Sequence, residues 1–292
     1  SSLPEEVQTA FIHTIVGLEG AEIMRPGYAV EYDYLDPLQL YPSLESKLYS
    51  NLFVAGQTNG TSGYEEAASQ GLLAGINAAQ KMAGEPPLIL DRTEAYIGVL
   101  IDDLVPKGAE EPYRMFTSRA EYRLNLRHDS ADQRLTPKGY KVGLKSQEDM
   151  ERLRHKMGQI EVVKELLSQG KGEGKRAIEL LRQPEYSIEE LFEFVPEIAT
   201  YDEAILYQVE LDVKYEGYVK RQERQIERFQ KMERISIPQD FNWDEILGLS
   251  TESRQKFKKV RPLSVGQASR ISGVRSSDLA ILMVALSRKE RS

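Results

Sequence analysis

Residues 51–79 read NLFVAGQTNGTSGYEEAASQGLLAGINAA. The apolar run Leu52-Phe53-Val54-Ala55 predicts a short buried strand. The stretch 56–63 holds Gly56, Gly60 and Gly63 among small polar residues and predicts a loop. A helix is predicted from about Tyr64 to Met82, stopped by Gly84 and Pro86-Pro87. Glycines let backbone N–H groups approach a ligand closely. A helix N-terminus adds unpaired N–H groups and partial positive charge, which suit an anion or an electron-rich carbonyl. Ala67, Gly71, Ala74, Gly75 and Ala78 form a stripe of small residues for close packing on a sheet. The pattern leaves two readings open, a plain strand–turn–helix unit and a cofactor loop. The G-x-G-x-x-G fingerprint is absent, so the usual grip on the adenosine end of a dinucleotide is not in these residues.

Outward from this stretch, residues 1–90 read as α/β. A helix is expected over 4–15, and a strand over 28–34. Residues 91–144 form a mixed, Arg-rich linker region, where Tyr122-Arg123-Leu124-Asn125-Leu126-Arg127 alternates like a strand with one wet face. Residues 145–241 read as a helical domain. An amphipathic helix is expected over 150–169, a flexible break over 171–175, a short helix over 186–194 and one or two long helices over 202–232. Residues 242–292 read as a small subdomain of three short helices with Ser250, Ser264 and Ser276 as candidate N-caps. The expected fold class is therefore α/β plus all-α.

The 292 residues are 40% hydrophobic and 29% charged, an ordinary globular composition. There is no cysteine, which removes disulfides, thiolate nucleophiles and Cys-ligated metals from this chain. His13, His128 and His155 are scattered, and no metal site is expected. No membrane span or signal peptide is visible, and a cytoplasmic location is expected. The net charge of −8 alone does not suggest nucleic acid, but its distribution does. Between Tyr113 and Lys141 seven basic residues face three acidic ones, and between Arg254 and Ser292 ten face two. Arg114, Arg119, Arg123 and Arg127, with Tyr113 and Tyr122, suit phosphate contacts and base stacking. Surface ion pairs with Glu111, Glu121 and Asp129 are the blander alternative. Glu65-Glu66 and Glu189-Glu190 read as helix N-terminal charges, and Tyr215, Tyr218, Phe229 and Met232 as helix packing. Residues 264–287 have the lengths of a helix–turn–helix, with Ala268, Ile271, Val274, Leu279, Leu282, Met283 and Leu286 as its core. A non-catalytic nucleic-acid-binding protein is thus the rival reading.

Four blocks resemble the MnmG/GidA family of tRNA-modifying enzymes, in that family's order: RPGYAVEYDY (25–34), AGQTNGTSGYEEAASQGLLAGINAA (55–79), EPYRMFTSRAEYRLNLR (111–127) and RPLSVGQASRISGV (261–274). The resemblance implies the C-terminal part of a glutathione-reductase-like FAD-binding domain, followed by a helical C-terminal domain. It also implies that the G-x-G-x-x-G half, most of an inserted NADH domain and the catalytic residues lie upstream, so that this fragment is expected to be inactive alone. Gln57 is implied as a direct FAD contact, with Gly56, Gly63, Tyr64 and Glu65 beside it. Arg114, Arg119, Arg123 and Arg127 are implied to hold tRNA. The implied reaction installs an aminomethyl or carboxymethylaminomethyl group at C5 of the wobble uridine. It uses FAD, NADH as reductant and methylene-tetrahydrofolate as one-carbon donor. The implied partners are tRNA and the GTPase MnmE, docked through the C-terminal helices of a homodimer that forms a heterotetramer.

Overall fold

The computed structural model describes residues 2–29, 32–238 and 240–289. The chain divides into two units, Ser1–Tyr34 and Leu35–Ser292. In the first, helix α1 (Glu5–His13) starts behind Pro4, which presets the backbone for a first turn. Gln8 is its buried polar anchor. It donates to Leu3 O at 2.6 Å and Gly27 O at 2.8 Å, and accepts from Gly27 N at 2.8 Å. The strand expected over 28–34 is not formed at its described residues, and Val30 and Glu31 lie outside the described residues.

The second unit is mostly helical. Among the described residues its sheet is a single hairpin, β1 (Lys171–Gly172) with β2 (Lys175–Arg176). Its turn places Glu173 and Gly174 at φ 49° and 76°, the left-handed pair a two-residue hairpin requires. The flexible break expected there is thus a defined turn. The α/β character expected of residues 1–90 is likewise not expressed as a sheet. Residues 52–55 form no sheet strand; they meet the turn at Tyr41–Leu44 and the two residues after it, through Ser46 N to Leu52 O at 2.7 Å, Val54 N to Leu44 O at 3.0 Å and the isolated bridge Glu45–Phe53. An apolar run becomes a sheet strand only where neighbours lie alongside, and a turn supplies too few.

Helix α2 (Tyr64–Met82) and helix α3 (Tyr96–Lys107) form the first core of this unit, around Leu40, Leu44, Val54, Leu73, Leu100 and Leu104. Gly98 lets α3 run against the preceding chain. A Cβ there would collide with Asp91 O and Leu90 O. After α4 (Ala131–Lys141), helix α5 (Gln147–Gln169) opens with a capping box in which Ser146 and Asp149 satisfy each other's backbone N–H. It packs with α6 (Ala177–Leu181) and α7 (Glu203–Glu233) around Ile160, Val163, Leu167, Leu180, Leu191, Ile198 and Val209. The helix expected over 186–194 is a 3-10 turn, Glu189–Glu193.

The C-terminal helices are α8 (Thr251–Val260), α9 (Val265–Arg270) and α10 (Ser276–Lys289). Ser250 and Ser264 cap the first two through Ser253 N and Gln267 N. Ser276 is instead the first helical residue of α10. Phe257, Val265, Ala268 and Leu282 form the core here, with Trp243 between Phe241 and Phe257 at ring distances of 5.1 and 4.9 Å. Val274 and Leu279 pack on that core, whereas Met283 is exposed. Residues 290–292 of the expected subdomain lie outside the described residues.

Candidate functional site

The glycine loop is a 3-10 turn, Gly56–Asn59, ended by Gly60 in the left-handed region. Its rigidity comes from one side chain of α2. Gln70 is fully buried. Its Oε1 accepts from Gly56 N at 3.2 Å and Asn59 Nδ2 at 2.8 Å, while its Nε2 donates to Thr61 Oγ1 at 2.9 Å. Thr61 Oγ1 in turn donates to Gly56 O at 3.0 Å. Gly56 needs glycine for its φ of 81°. Gly63 needs it for space, because a Cβ would collide with Glu66 Oε2. Gly63 is also the N-cap of α2 and brings no capping side chain. Among the described residues the first-turn N–H groups of Tyr64 and Glu65 have no hydrogen-bond partner. Tyr64 is 93% exposed. Gln57 lies half-buried in the 3-10 turn. The structure thus brings Gly56, Gln57, Gly63, Tyr64 and Glu65 together at one end of α2.

Glu66 is more than a helix N-terminal charge. It is buried, and its Oε1 accepts from Met115 N at 2.8 Å, with Arg114 Nε at 3.6 Å. Buried Asn59 Oδ1 and Glu66 Oε2 have no protein partner. The arginine-bearing segment is stitched to the glycine loop a second time, through Tyr113 N to Gly60 O at 2.8 Å.

Behind this seam lies a buried charged cluster. The Tyr113 hydroxyl donates to Asp103 Oδ2 at 2.7 Å. Asp103 Oδ1 also accepts from Lys107 at 2.7 Å and Arg92 at 2.8 Å. Arg92 is 2% exposed. It further donates to Asp102 at 3.0 Å, Glu121 at 2.8 Å and Arg119 O at 3.2 Å. Burial would raise the Asp103 carboxyl, but Lys107, Arg92 and the Tyr113 hydroxyl outweigh it and hold it below the usual carboxylate range. Burial first, then Asp103, pushes the Tyr113 phenol well up. Arg270 of α9 reaches the same cluster, bonding Asp102 at 2.5 Å and also Glu233.

The four candidate arginines do not lie on one strand face. Residues 122–127 form a turn, closed by Asn125 N and Leu126 N to Tyr122 O at 2.9 and 3.1 Å. Alternation put both leucines inward, but only Leu126 is buried and Leu124 is half-buried. Arg114, Arg119 and Arg123 are exposed. Arg119 stacks over Tyr113, 4.2 Å from the ring centre. Arg127 instead pairs with Asp129 at 3.1 Å and with Asp212 of α7 at 2.8 Å. It joins the linker to the helical bundle.

Sequence reasoning passed over Gln70, Arg92 and Asp103. The apolar run Pro87-Leu88-Ile89-Leu90 before Arg92 was the available sign that the chain dives inward there. Among the described residues no group of three His, Cys, Asp or Glu could hold a metal, and no helix is long and apolar enough to cross a membrane.

Family models match along the chain. Residues 1–86 match "Glucose inhibited division protein A", 140–223 match the MnmG/GidA C-terminal helical domain, and 225–292 match the MnmG/GidA C-terminal helical bundle. The chain belongs to the GidA/MnmG family. Among GidA/MnmG proteins, the tRNA uridine 5-carboxymethylaminomethyl modification enzyme MnmG of Borreliella burgdorferi (strain ZS7) is 51% identical over 300 residues, covering 98% of this chain and 48% of that protein. The MnmG of Bacillus cereus is 53% identical, covering 97% and 48%. A crystal structure of Aquifex aeolicus GidA superposes with TM-score 0.83 at 42% identity, over 98% of this chain and 48% of that one. The chain spans about half the length of the curated relatives it matches, and it carries the GidA/MnmG C-terminal helical domain.

Proposed function

We propose that this chain completes the FAD site of a tRNA-modifying enzyme and presents that site to RNA. The reaction installs an aminomethyl or carboxymethylaminomethyl group at C5 of the wobble uridine. The observation that carries the reading is the seam between Tyr113 N and Gly60 O. With Met115 N on Glu66 Oε1, it holds the segment that bears Arg114 and Arg119 against the glycine loop, so that a nucleotide held by the former would stand near the latter. Family membership supports the same reading, as do the relatives named as tRNA uridine modification enzymes.

The residues fit a flavin. Uncapped N–H groups at Tyr64 and Glu65 suit the electron-rich edge of an isoalloxazine ring, and Asn59 Oδ1 and Glu66 Oε2 are buried polar atoms without a protein partner beside them. FAD, when bound, supplies electron transfer between NADH and a methylene-tetrahydrofolate-derived one-carbon unit. This chain's part is positional. Gln57 hydrogen-bonds the cofactor, the α2 N-terminus stabilises negative charge, and Gln70 holds the loop in shape. Arg114, Arg119 and Arg123 take tRNA phosphates, with the upstream half of the enzyme supplying the catalytic residues. The C-terminal helices, residues 242–292, dock a GTPase partner, MnmE, within an assembly built on a homodimer in the cytoplasm. Residues 1–90 act as the flavin part, 91–144 as the RNA-contacting linker and 145–241 as a helical spacer. The test is a flavin titration and a tRNA-binding salt series on the full-length protein with substitutions at Gln70 and Arg119.

A further inference from the structure

A cavity of about 130 Å³ opens between the chain around Tyr41 and the C-terminal helices, away from the glycine loop. Its walls include Tyr41, Lys47, Trp243, Arg261 and Pro262, and among the described residues no carboxylate lines it. Lys47 Nζ donates to Leu38 O at 2.9 Å and to Val260 O, the last carbonyl of α8, at 2.8 Å. Those bonds use two of its three protons, and both acceptors are neutral. Arg261 follows directly, at φ 51° in the left-handed region. It is exposed. Burial first, and then Arg261, bring the Lys47 amine down to about 8, while Asp36 pulls the other way. Asp36 also accepts from Leu38 N at 3.0 Å.

Helix capping accounts for the bond from Lys47 to Val260 O, and Arg261, the C-cap residue of α8, stands at the same helix end. A lysine at the C-terminus of α8 satisfies an open carbonyl and complements the helix dipole. Placing a second cation beside it costs energy unless an anion is shared between them. A point-charge ammonium with one free proton, next to a forked guanidinium, suits the oxygens of a tetrahedral oxyanion. The space exceeds that of a halide, and Tyr41 and Trp243 give it aromatic walls.

We propose that this cavity is a nucleotide phosphate subsite, held by Lys47 and Arg261 and distinct from the Arg114–Arg119–Arg123 surface. The inference stands apart from the flavin and tRNA reading, since it needs only these residues. Two sources share the chemistry, a free mononucleotide and a phosphodiester of an RNA strand.

Trp243 is the chain's only tryptophan and forms part of the wall, so its emission reports on the cavity. The 292-residue chain is titrated with inorganic phosphate, adenosine monophosphate and a six-residue uridine oligomer, with chloride at matched ionic strength as control. A saturable change in Trp243 emission is expected with phosphate compounds and not with chloride. Arg261→Gln weakens it roughly tenfold or more, as loss of a charge-assisted hydrogen bond does, while Arg261→Lys retains part of the response. A stronger response to the monophosphate than to the oligomer identifies a free nucleotide, and the reverse identifies a strand. Because Arg261 is exposed, the variant is expected to melt as the wild type does. No saturable change, or equal titrations in wild type and Arg261→Gln, overturns the proposal.

Discussion

The guanidinium of Arg119 lies over the ring of Tyr113 at 4.2 Å, while the hydroxyl of that ring donates to Asp103 at 2.7 Å. One aromatic residue thus links an exposed cation to a buried anion. It fixes where the cation stands without neutralising it, because the Asp103 charge is consumed by Arg92 and Lys107. An exposed arginine held in place gives up less entropy on meeting a phosphate than a free one.

Arg119→Ala and Arg123→Ala in the full-length protein are expected to weaken tRNA binding. Each lowers the log–log salt slope by about 0.7 to 0.9 if it contacts a phosphate. Arg127→Ala is expected to behave differently, because its guanidinium is spent on Asp129 and Asp212. It should lower stability by about 1–3 kcal/mol with an unchanged slope. Affinities measured across a salt series, with urea melts alongside, separate the two classes. Equal slopes for wild type and Arg119→Ala would remove Arg119 from the RNA surface.

Gln70→Ala leaves Gly56 N, Asn59 Nδ2 and Thr61 Oγ1 short of a partner in the protein interior. A cost of about 1–3 kcal/mol is expected, together with a looser glycine loop. In the full-length protein this should appear as faster flavin release, although Gln70 is fully buried inside the fold. A stopped-flow flavin-release assay checks it, and an unchanged release rate would mean that the loop does not grip the cofactor.

Arg270→Ala removes the link from α9 to Asp102 on α3 and to Glu233 on α7. These side chains are only 13%, 12% and 23% exposed, so breaking the cluster is expected to cost about 3 kcal/mol. The double variant Arg270→Met, Glu233→Gln should recover much of that loss, since Glu233 is the carboxylate left without a cation while Asp102 keeps Arg92. Urea denaturation of both variants measures the difference. A single variant as stable as wild type would show that the C-terminal helices are held by apolar packing alone.

Asp278 ties the start of α10 to the start of α8. It accepts from Ser250 N at 3.0 Å, Ser250 Oγ at 3.1 Å and Ser253 Oγ at 2.9 Å. The Ser250 N–H, then the two hydroxyls, outweigh burial and hold its carboxyl below the ordinary value of 3.8. A lowered folded-state pKa gives stability that is fully present above 3.8 and is lost as pH falls through the folded-state value. Asp278→Asn should therefore lower Tm at pH 7 and lose its disadvantage progressively below about pH 4. Thermal melts from pH 7 to pH 3 follow it. A constant gap between variant and wild type would mean that the charge is not what the two serines recognise.

Helix α2 was legible because its signals are local. A glycine-rich start and a stop at Gly84 and Pro86-Pro87 agree with one another. The capped starts at Ser250 and Ser264 were legible for the same reason. The strand expected over 122–127 is a turn because alternation over six residues also describes a turn with one buried leucine, and only Leu126 is buried. Arg92 was invisible because its partners Asp102, Asp103 and Glu121 stand 10 to 29 positions away and no spacing rule joins them. Gln70 was hidden in another way. An amide in a helix among alanines reads as surface until the loop it holds is folded over it.

The β1–β2 hairpin gives the chain a handle. Lys175 stands exposed beside a turn whose two left-handed residues fix its direction. The sequence has no native thiol to compete. A fluorophore attached through Lys175→Cys would therefore carry a single, known address on the helical bundle, and its energy transfer to a labelled RNA would read distance rather than affinity.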